Sequence, residues 1–310
     1  LKIFNSIQEF SADSRSVLTL GTFDGVHKGH KSILHKLFNA SKSSGCESVV
    51  LTFFPHPRMV LQQHSDIKLL NTIEEKALLL EQAGVDNLIV HPFDHTFSRL
   101  TANEFVADVL VSKLNIAKII IGHDHRFGRN RTATINDLIH FGHTYGFDVE
   151  QITALEIDEV SVSSTKIRVA LDAGDIKTAN DYLGYPYPLT GTVVQGKQLG
   201  RTIGFPTANI SIKEDYKLIP HTGVYVVTAL IEGRLVKGMM NIGTNPTVGG
   251  TTRSIEAHLF DFDEDLYSKK IQVNLHARLR DETKFEGIDQ LIEQLKKDRL
   301  AAFDYFKNDY

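Results

Sequence analysis

Cysteine is almost absent: Cys46 is the only one in 310 residues. A single thiol cannot build an intrachain disulfide framework, and it argues against a cysteine-based metal centre. A reducing, cytoplasmic setting is therefore expected. No apolar run approaches the roughly eighteen residues needed to cross a bilayer, and no signal peptide is expected ahead of Leu1. Basic residues are not in excess. The net charge is −4, which disfavours a dedicated nucleic-acid binder. Low-complexity tracts and internal repeats are missing too. So are two familiar phosphate loops, G-x-x-x-x-G-K-[ST] and G-x-G-x-x-G. What remains is an ordinary globular composition, 42% hydrophobic and 23% charged, in a chain long enough for two domains.

The first half alternates strands and helices. Apolar runs at 17–20, 48–54, 87–93, 118–122 and 147–152 read as strands. Between them lie helical patterns, two of which open with capping boxes, Thr72…Glu75 and Thr101…Glu104. Continuous apolar strands separated by helices predict a parallel sheet covered on both faces. Around residue 185 the pattern changes. The stretch 183–191 carries two prolines and reads as a linker, placing the expected boundary between domains 1–184 and 185–310. Beyond it, short β-rich runs with Gly, Asp and Pro turns predict an antiparallel barrel or sandwich. "LI-EG-RLV" has two-residue hairpin spacing. The tail 287–306 reads as an amphipathic helix.

"TLGTFDGVHKGHKSIL" (19–34) places a glycine-rich turn between a strand and a helix. In a parallel sheet, ligands bind at the carboxyl ends of the strands. Gly21 and Gly25 permit close backbone approach. The following helix N-terminus directs free N–H groups at an anion. His27 and His30 can then donate hydrogen bonds to phosphate oxygens and offset charge on a leaving pyrophosphate.

His27-Lys28-Gly29-His30 resembles the motif of the HxGH nucleotidyltransferases. "FFPHPRMVL" (53–61), "IIGHDHRFGRNR" (120–131) and "VSSTKIR" (162–168) follow in the order seen in the bacterial FAD synthetase module. The resemblance implies a Rossmann-like domain whose ATP site includes Gly21, Phe23, Asp24, Gly25, Gly29 and Asp124. It further implies a second phosphate clamp from Ser164, Thr165 and Arg168, and flavin contacts at Pro55, His56 and Pro57. His125 stands where that family usually has an aromatic, and the His123-Asp124-His125 string is read as metal-free.

"GKQLGRTIGFPTANI" (196–210) is the most specific string in the chain. Thr207 and Asn209 are two apart, so on an extended strand they share a face, and both offer hard oxygen ligands for Mg²⁺. Gly196, Gly200 and Gly204 allow a flap to close, and Arg201 or Lys197 could neutralise phosphate charge. The string resembles the G-x-P-T-x-N motif of the riboflavin kinase domain, including Pro206. In that resemblance Glu256 is the catalytic base, Arg280 and the last helix contact flavin, and the domain is an antiparallel barrel ending in a helix.

Motifs in both halves, in order, make the chain similar to the bacterial bifunctional riboflavin kinase/FAD synthetase family. The implied chemistry is riboflavin to FMN in the second half and FMN to FAD in the first. ATP is the co-substrate, Mg²⁺ the cofactor, and riboflavin, FMN and ATP are the small-molecule partners, with neither nucleic acid nor membrane. A non-catalytic flavin or nucleic-acid binding protein is one alternative, disfavoured by the near-neutral charge and two phosphate-handling sites; a single-activity adenylyltransferase with a flavin-binding barrel is the other. Intact Thr207, Asn209 and Glu256 argue against it.

Overall fold

A computed structural model describes residues 1–11, 14–62, 65–122, 125–153, 162–196, 198–247 and 250–308, with side chains described outside 245–252. The chain forms two compact units, Leu1–Ser163 and Ser164–Tyr310.

The first unit holds a six-stranded parallel sheet. Its strands are β1 (Lys2–Phe4), β2 (Ser16–Leu20), β3 (Glu47–Phe53), β4 (Asn87–His91), β5 (Ile116–Gly122) and β6 (Asp148–Ile152). Five match the expected runs; the short edge strand β1 was not anticipated. Helix α1 (Lys28–Ser44) follows β2, α2 (Pro57–Leu61) and α3 (Ile73–Gln82) follow β3, and α5 (Ile135–Tyr145) precedes β6. Between β4 and β5, α4 (Ala102–Glu104) runs into wider, π-type turns from Phe105 to Lys113. Both expected capping boxes form, at Thr72/Glu75 and Thr101/Glu104.

Successive residues of the central strands point to opposite faces, and each face has its own core. Leu18, Leu51, Ile119 and Ile121 pack with Phe105 and Leu110 on one side. Val17, Val50, Leu88 and Ile120 pack with Leu34 and Leu37 of α1 and with Ala77 and Leu80 of α3 on the other. This double burial explains why the strands read as continuous apolar runs. The strand order is β1-β4-β3-β2-β5-β6. The chain builds outward from β2 in one direction and then resumes on its other side at β5. The carboxyl ends of β2 and β5 therefore form the topological switch point, where such sheets bind ligands.

The second unit is a closed antiparallel barrel of order β10-β11-β8-β7-β12-β9. Its strands are β7 (Tyr187–Val194), β8 (Ala208–Ser211), β9 (Gly223–Ile231), β10 (Arg234–Thr247), β11 (Gly250–Leu259) and β12 (Lys270–Arg280). The β9–β10 hairpin turns on Glu232 and Gly233, both with positive φ (50° and 78°), as a two-residue primed turn requires. Two helices, α6 (Ser164–Ala173) and α7 (Ile176–Leu183), precede the barrel; the single turn α8 (Leu199–Thr202) lies between β7 and β8, and α9 (Ile288–Asn308) ends the unit. Ala302 and Phe306 of α9 are buried with Phe205, Val226, Met239 and Phe260.

The expected linker at 183–191 is not one. Gly184 caps α7 in a left-handed conformation and β7 begins at Tyr187. Asn180 ties the two together: its Nδ2 donates to Leu275 O and its Oδ1 accepts from Tyr187 N, both at 2.8 Å. His221 N also donates to Leu171 O at 3.0 Å. These bonds tie α6 and α7 to the barrel's unit, and the compact units part at 163/164.

Candidate active sites

In the first unit, the turn after β2 is tightly wound. Phe23, Gly25 and Val26 all have positive φ (45°, 88° and 34°). A β-carbon on Gly21 would touch the Phe23 ring at 3.4 Å. Asp24 is buried and its Oδ1 accepts from Leu70 N at 2.8 Å, tying the turn to the segment before α3. The turn delivers His27 as the N-cap of α1, with no side-chain capping bond and no acidic residue in the first turn. The first N–H groups of α1 thus remain available to an anion. Gly29, buried in that first turn, adds no side chain over them.

The rings of His27 and His30 lie parallel, 3.7 Å apart at 17°, with Phe23 packed against His30 at 5.0 Å. Burial lowers His27 to about 4, against which the nearby Asp24 charge acts only in part. Burial, then the charges of His27 and Lys76, hold His30 well below its usual value. Both imidazoles are therefore neutral near pH 7. The Nδ1 atoms of both find no hydrogen-bond partner among the described residues. Buried polar atoms normally have one; these two have the capacity to bond an incoming group.

Other expected residues of this site fall as follows. His56 caps α2, its Nδ1 accepting from Arg58 N at 3.1 Å, while Pro55 precedes it and Pro57 is the first helical residue. His125 is half-buried with its ring parallel to Phe127, 6.4 Å away. Asp124 lies outside the described residues, as does Lys197. Ser164 and Thr165 open α6 and Arg168 follows one turn later, all in the second compact unit. Lys76 of α3 was not anticipated. It is only 3% exposed and its Nζ donates to Thr22 O at 2.7 Å. The available signal was its spacing, between Ile73 and Leu80 on the apolar stripe of α3.

In the barrel, Glu256 on β11 pairs in register with Asn209 on β8, so their side chains share a face. Thr207 Oγ1 donates to Glu256 Oε2 at 3.4 Å. Hydroxyl, amide and carboxylate oxygens together form a hard donor set that fits Mg²⁺. Glycines crowd this cluster: a β-carbon on Gly196 would fall 2.2 Å from Asn209 Nδ2, and one on Gly200 2.2 Å from Phe205 O. Gly204 has φ 80°, a left-handed turn that leads to Pro206. Pro206 O accepts from His258 Nδ1 at 2.8 Å, which anchors the motif to β11. A cleft of about 370 Å³ opens beside Asn209, with Ser211, Asp215, Lys217 and Arg253 on its walls. Arg201 is exposed on α8. Arg280, expected at the flavin, makes paired bonds to Asp298 of α9 at 2.7–3.1 Å and one to Asp281 O at 2.9 Å.

Two family models match the chain, FAD synthetase over residues 9–166 and riboflavin kinase over residues 183–306. Fold, sites and matches define a flavin-nucleotide transferase with two catalytic modules. The bifunctional riboflavin kinase/FMN adenylyltransferase of Escherichia coli (strain K12) is 37% identical over 309 residues, covering 99% of this chain and 98% of the relative. That of Bacillus subtilis (strain 168) is 37% identical over 303 residues, covering 95% and 94%. A crystal structure from Streptococcus pneumoniae, described as a macrolide-efflux protein, has a TM-score of 0.88 and 33% identity over 99% of this chain and 98% of that one. Among the described residues of this chain no helix is long and apolar enough to cross a membrane. The chain belongs to the bifunctional riboflavin kinase/FMN adenylyltransferase family: it phosphorylates riboflavin to FMN and adenylylates FMN to FAD.

Proposed function

We propose that residues 1–184 carry the adenylylation and 185–310 the kinase reaction, each with the residues named above. The carrying observation is that two differently built clusters, His27/His30 and Thr207/Asn209/Glu256, lie in separate compact units.

In adenylyl transfer an oxygen of the FMN phosphate attacks the α-phosphorus of ATP. The bond to the bridging oxygen breaks and pyrophosphate leaves with the electron pair. The nucleophile is already an anion, so no general base is required. Catalysis then rests on positioning and on stabilising the leaving charge. Neutral His27 and His30 each donate one N–H, the N-terminus of α1 adds backbone N–H groups, and Gly21, Gly25 and Gly29 let the polyphosphate approach. Asp124 belongs to the nucleotide site, and Ser164, Thr165 and Arg168, at the start of α6, bind phosphate. Pro55, His56 and Pro57 border the flavin.

In the kinase reaction Glu256 accepts the proton of the ribityl 5′-hydroxyl as that oxygen attacks the γ-phosphorus. Thr207 and Asn209 would hold Mg²⁺, which supplies charge neutralisation on the polyphosphate when bound. The Gly196–Gly204 flap covers the nucleotide, with Arg201 and Pro206 at its edge. Arg280 contacts the flavin and, through Asp298, also holds α9 against β12.

Separating the flavins formed from riboflavin, Mg²⁺ and ATP tests this division. Glu256→Gln should stop FMN formation yet still convert supplied FMN to FAD. The double variant His27→Ala/His30→Ala should accumulate FMN and make no FAD. Loss of both activities in either folded variant would overturn the assignment of one cluster to each reaction.

A further inference from the structure

The mechanism above gives the buried cation Lys76 no task. Lys76 lies on the apolar stripe of α3, between Ile73 and Leu80, where a methionine or leucine would pack as well. Burying an ammonium costs several kcal/mol in desolvation, so the charge itself needs a reason. Its Nζ donates to Thr22 O at 2.7 Å and to Thr52 Oγ1 at 3.4 Å, and Thr52 Oγ1 donates to the same Thr22 carbonyl at 3.1 Å. Thr22 is the residue before the three positive-φ positions that deliver His27. Backbone in that region persists only where its surroundings over-determine it. The two imidazoles beyond the turn are neutral, so they bring no formal charge to a polyphosphate, whereas Lys76 is close enough for its charge to act on His30.

We propose that Lys76 is a positioning residue for adenylyl transfer: it clamps the Thr22 carbonyl from beneath the turn and lends its buried positive charge to the phosphate-binding face. This rests on the reading of the His27/His30 turn as the adenylylation site. The groups that bear on it are Asp24 of the turn and His30 of α1. Burial lowers Lys76 to about 8, with Asp24 opposing the shift.

The test compares both activities of the full chain across pH. In the unmodified protein, kcat/KM for ATP in adenylylation should fall as pH rises through about 8, because that ratio reports the free enzyme. Lys76→Arg keeps a charge that does not titrate there, and should move this alkaline limb up by at least about one pH unit. Lys76→Met should lower kcat by about tenfold or more with a smaller change in KM, and shift the acid limb upward as His30 loses a cationic neighbour. Lys76→Gln can still donate to Thr22 O but carries no charge, so it should recover at most part of what Lys76→Met loses. Riboflavin phosphorylation, housed in the other unit, should be unchanged in each variant, and circular dichroism with thermal melting reports folding. If Lys76→Met does not fold, the profiles of the unmodified protein and Lys76→Arg decide. No limb near pH 8, a limb unmoved in Lys76→Arg, full activity in Lys76→Met, or full rescue by Gln would each overturn the proposal. Adenylylation surviving in His27→Ala/His30→Ala would instead sink the site reading beneath it.

Discussion

Gly196 sits so close to Asn209 that a β-carbon there would fall 2.2 Å from the amide nitrogen. Backbone and side chain are interlocked at the point where β8 faces Glu256. Gly196→Ala must push the amide aside. It should reduce riboflavin phosphorylation by about tenfold or more, since misplacement by about an ångström has that scale of effect. Adenylylation of supplied FMN should be unchanged. Steady-state assays of each step, run separately, check this.

Thr207→Ala removes a hydroxyl that both bonds Glu256 and offers a ligand to Mg²⁺. Kinase activity should fall by about a hundredfold, the scale of losing one preorganised stabiliser of transition-state charge. Raising the Mg²⁺ concentration should recover part of the loss. An unchanged rate at limiting Mg²⁺ would show that Thr207 is no ligand.

Stability should depend on pH through buried histidines in both units. His27 and His276 are each lowered by burial from 6.5 to about 4, and His276 Nε2 is bonded to Thr228 Oγ1 at 2.8 Å. Their folded pKa lies below the unfolded one, so the unfolded chain takes up protons first as pH falls. The contribution is complete above pH 6.5 and lost progressively towards about 4. Each histidine should account for roughly 2–3 kcal/mol across that window. Urea unfolding at pH 7, 6 and 5 measures the slope, and His276→Gln should flatten it in the barrel.

Asp298 is almost fully buried on α9 and pairs with Arg280 at 2.7 Å. Asp298→Ala leaves the guanidinium uncompensated at the α9–β12 contact. The barrel should lose about 3 kcal/mol, as when one partner of a buried pair is removed. Denaturant midpoints of the variant and the unmodified chain provide the comparison. A midpoint shift too small to resolve would mean that Arg280 finds other partners.

Much of the fold is legible because local chemistry and tertiary structure agree. The strands of the parallel sheet are buried on both faces, so they are written as apolar runs. Thr72/Glu75 and Thr101/Glu104 cap helices by bonds made within four residues. Glu232-Gly233 turns a hairpin because two adjacent residues take positive φ. Exceptions arise where distant contacts decide. The edge strand Lys2–Phe4 is too short to show a period and exists through pairing with Asn87–Ile89. The prolines at 186 and 188 read as a linker, yet the chain there is committed to the barrel by pairing with β12.

The sequence by itself determined the chemistry: HxGH after a strand, PTAN before one and Glu256 on another are local arrangements whose spacing sets which groups share a face or a helix end. Tertiary structure alone decided three further matters. It grouped α6 and α7 with the barrel through Asn180 and Leu171. It gave Arg280 to Asp298. It also set Lys76 beneath the Thr22 carbonyl and kept the stacked imidazoles neutral. The physical reason is common to all three: burial and partner choice depend on residues tens of positions apart, and desolvation has no signature in a linear spacing.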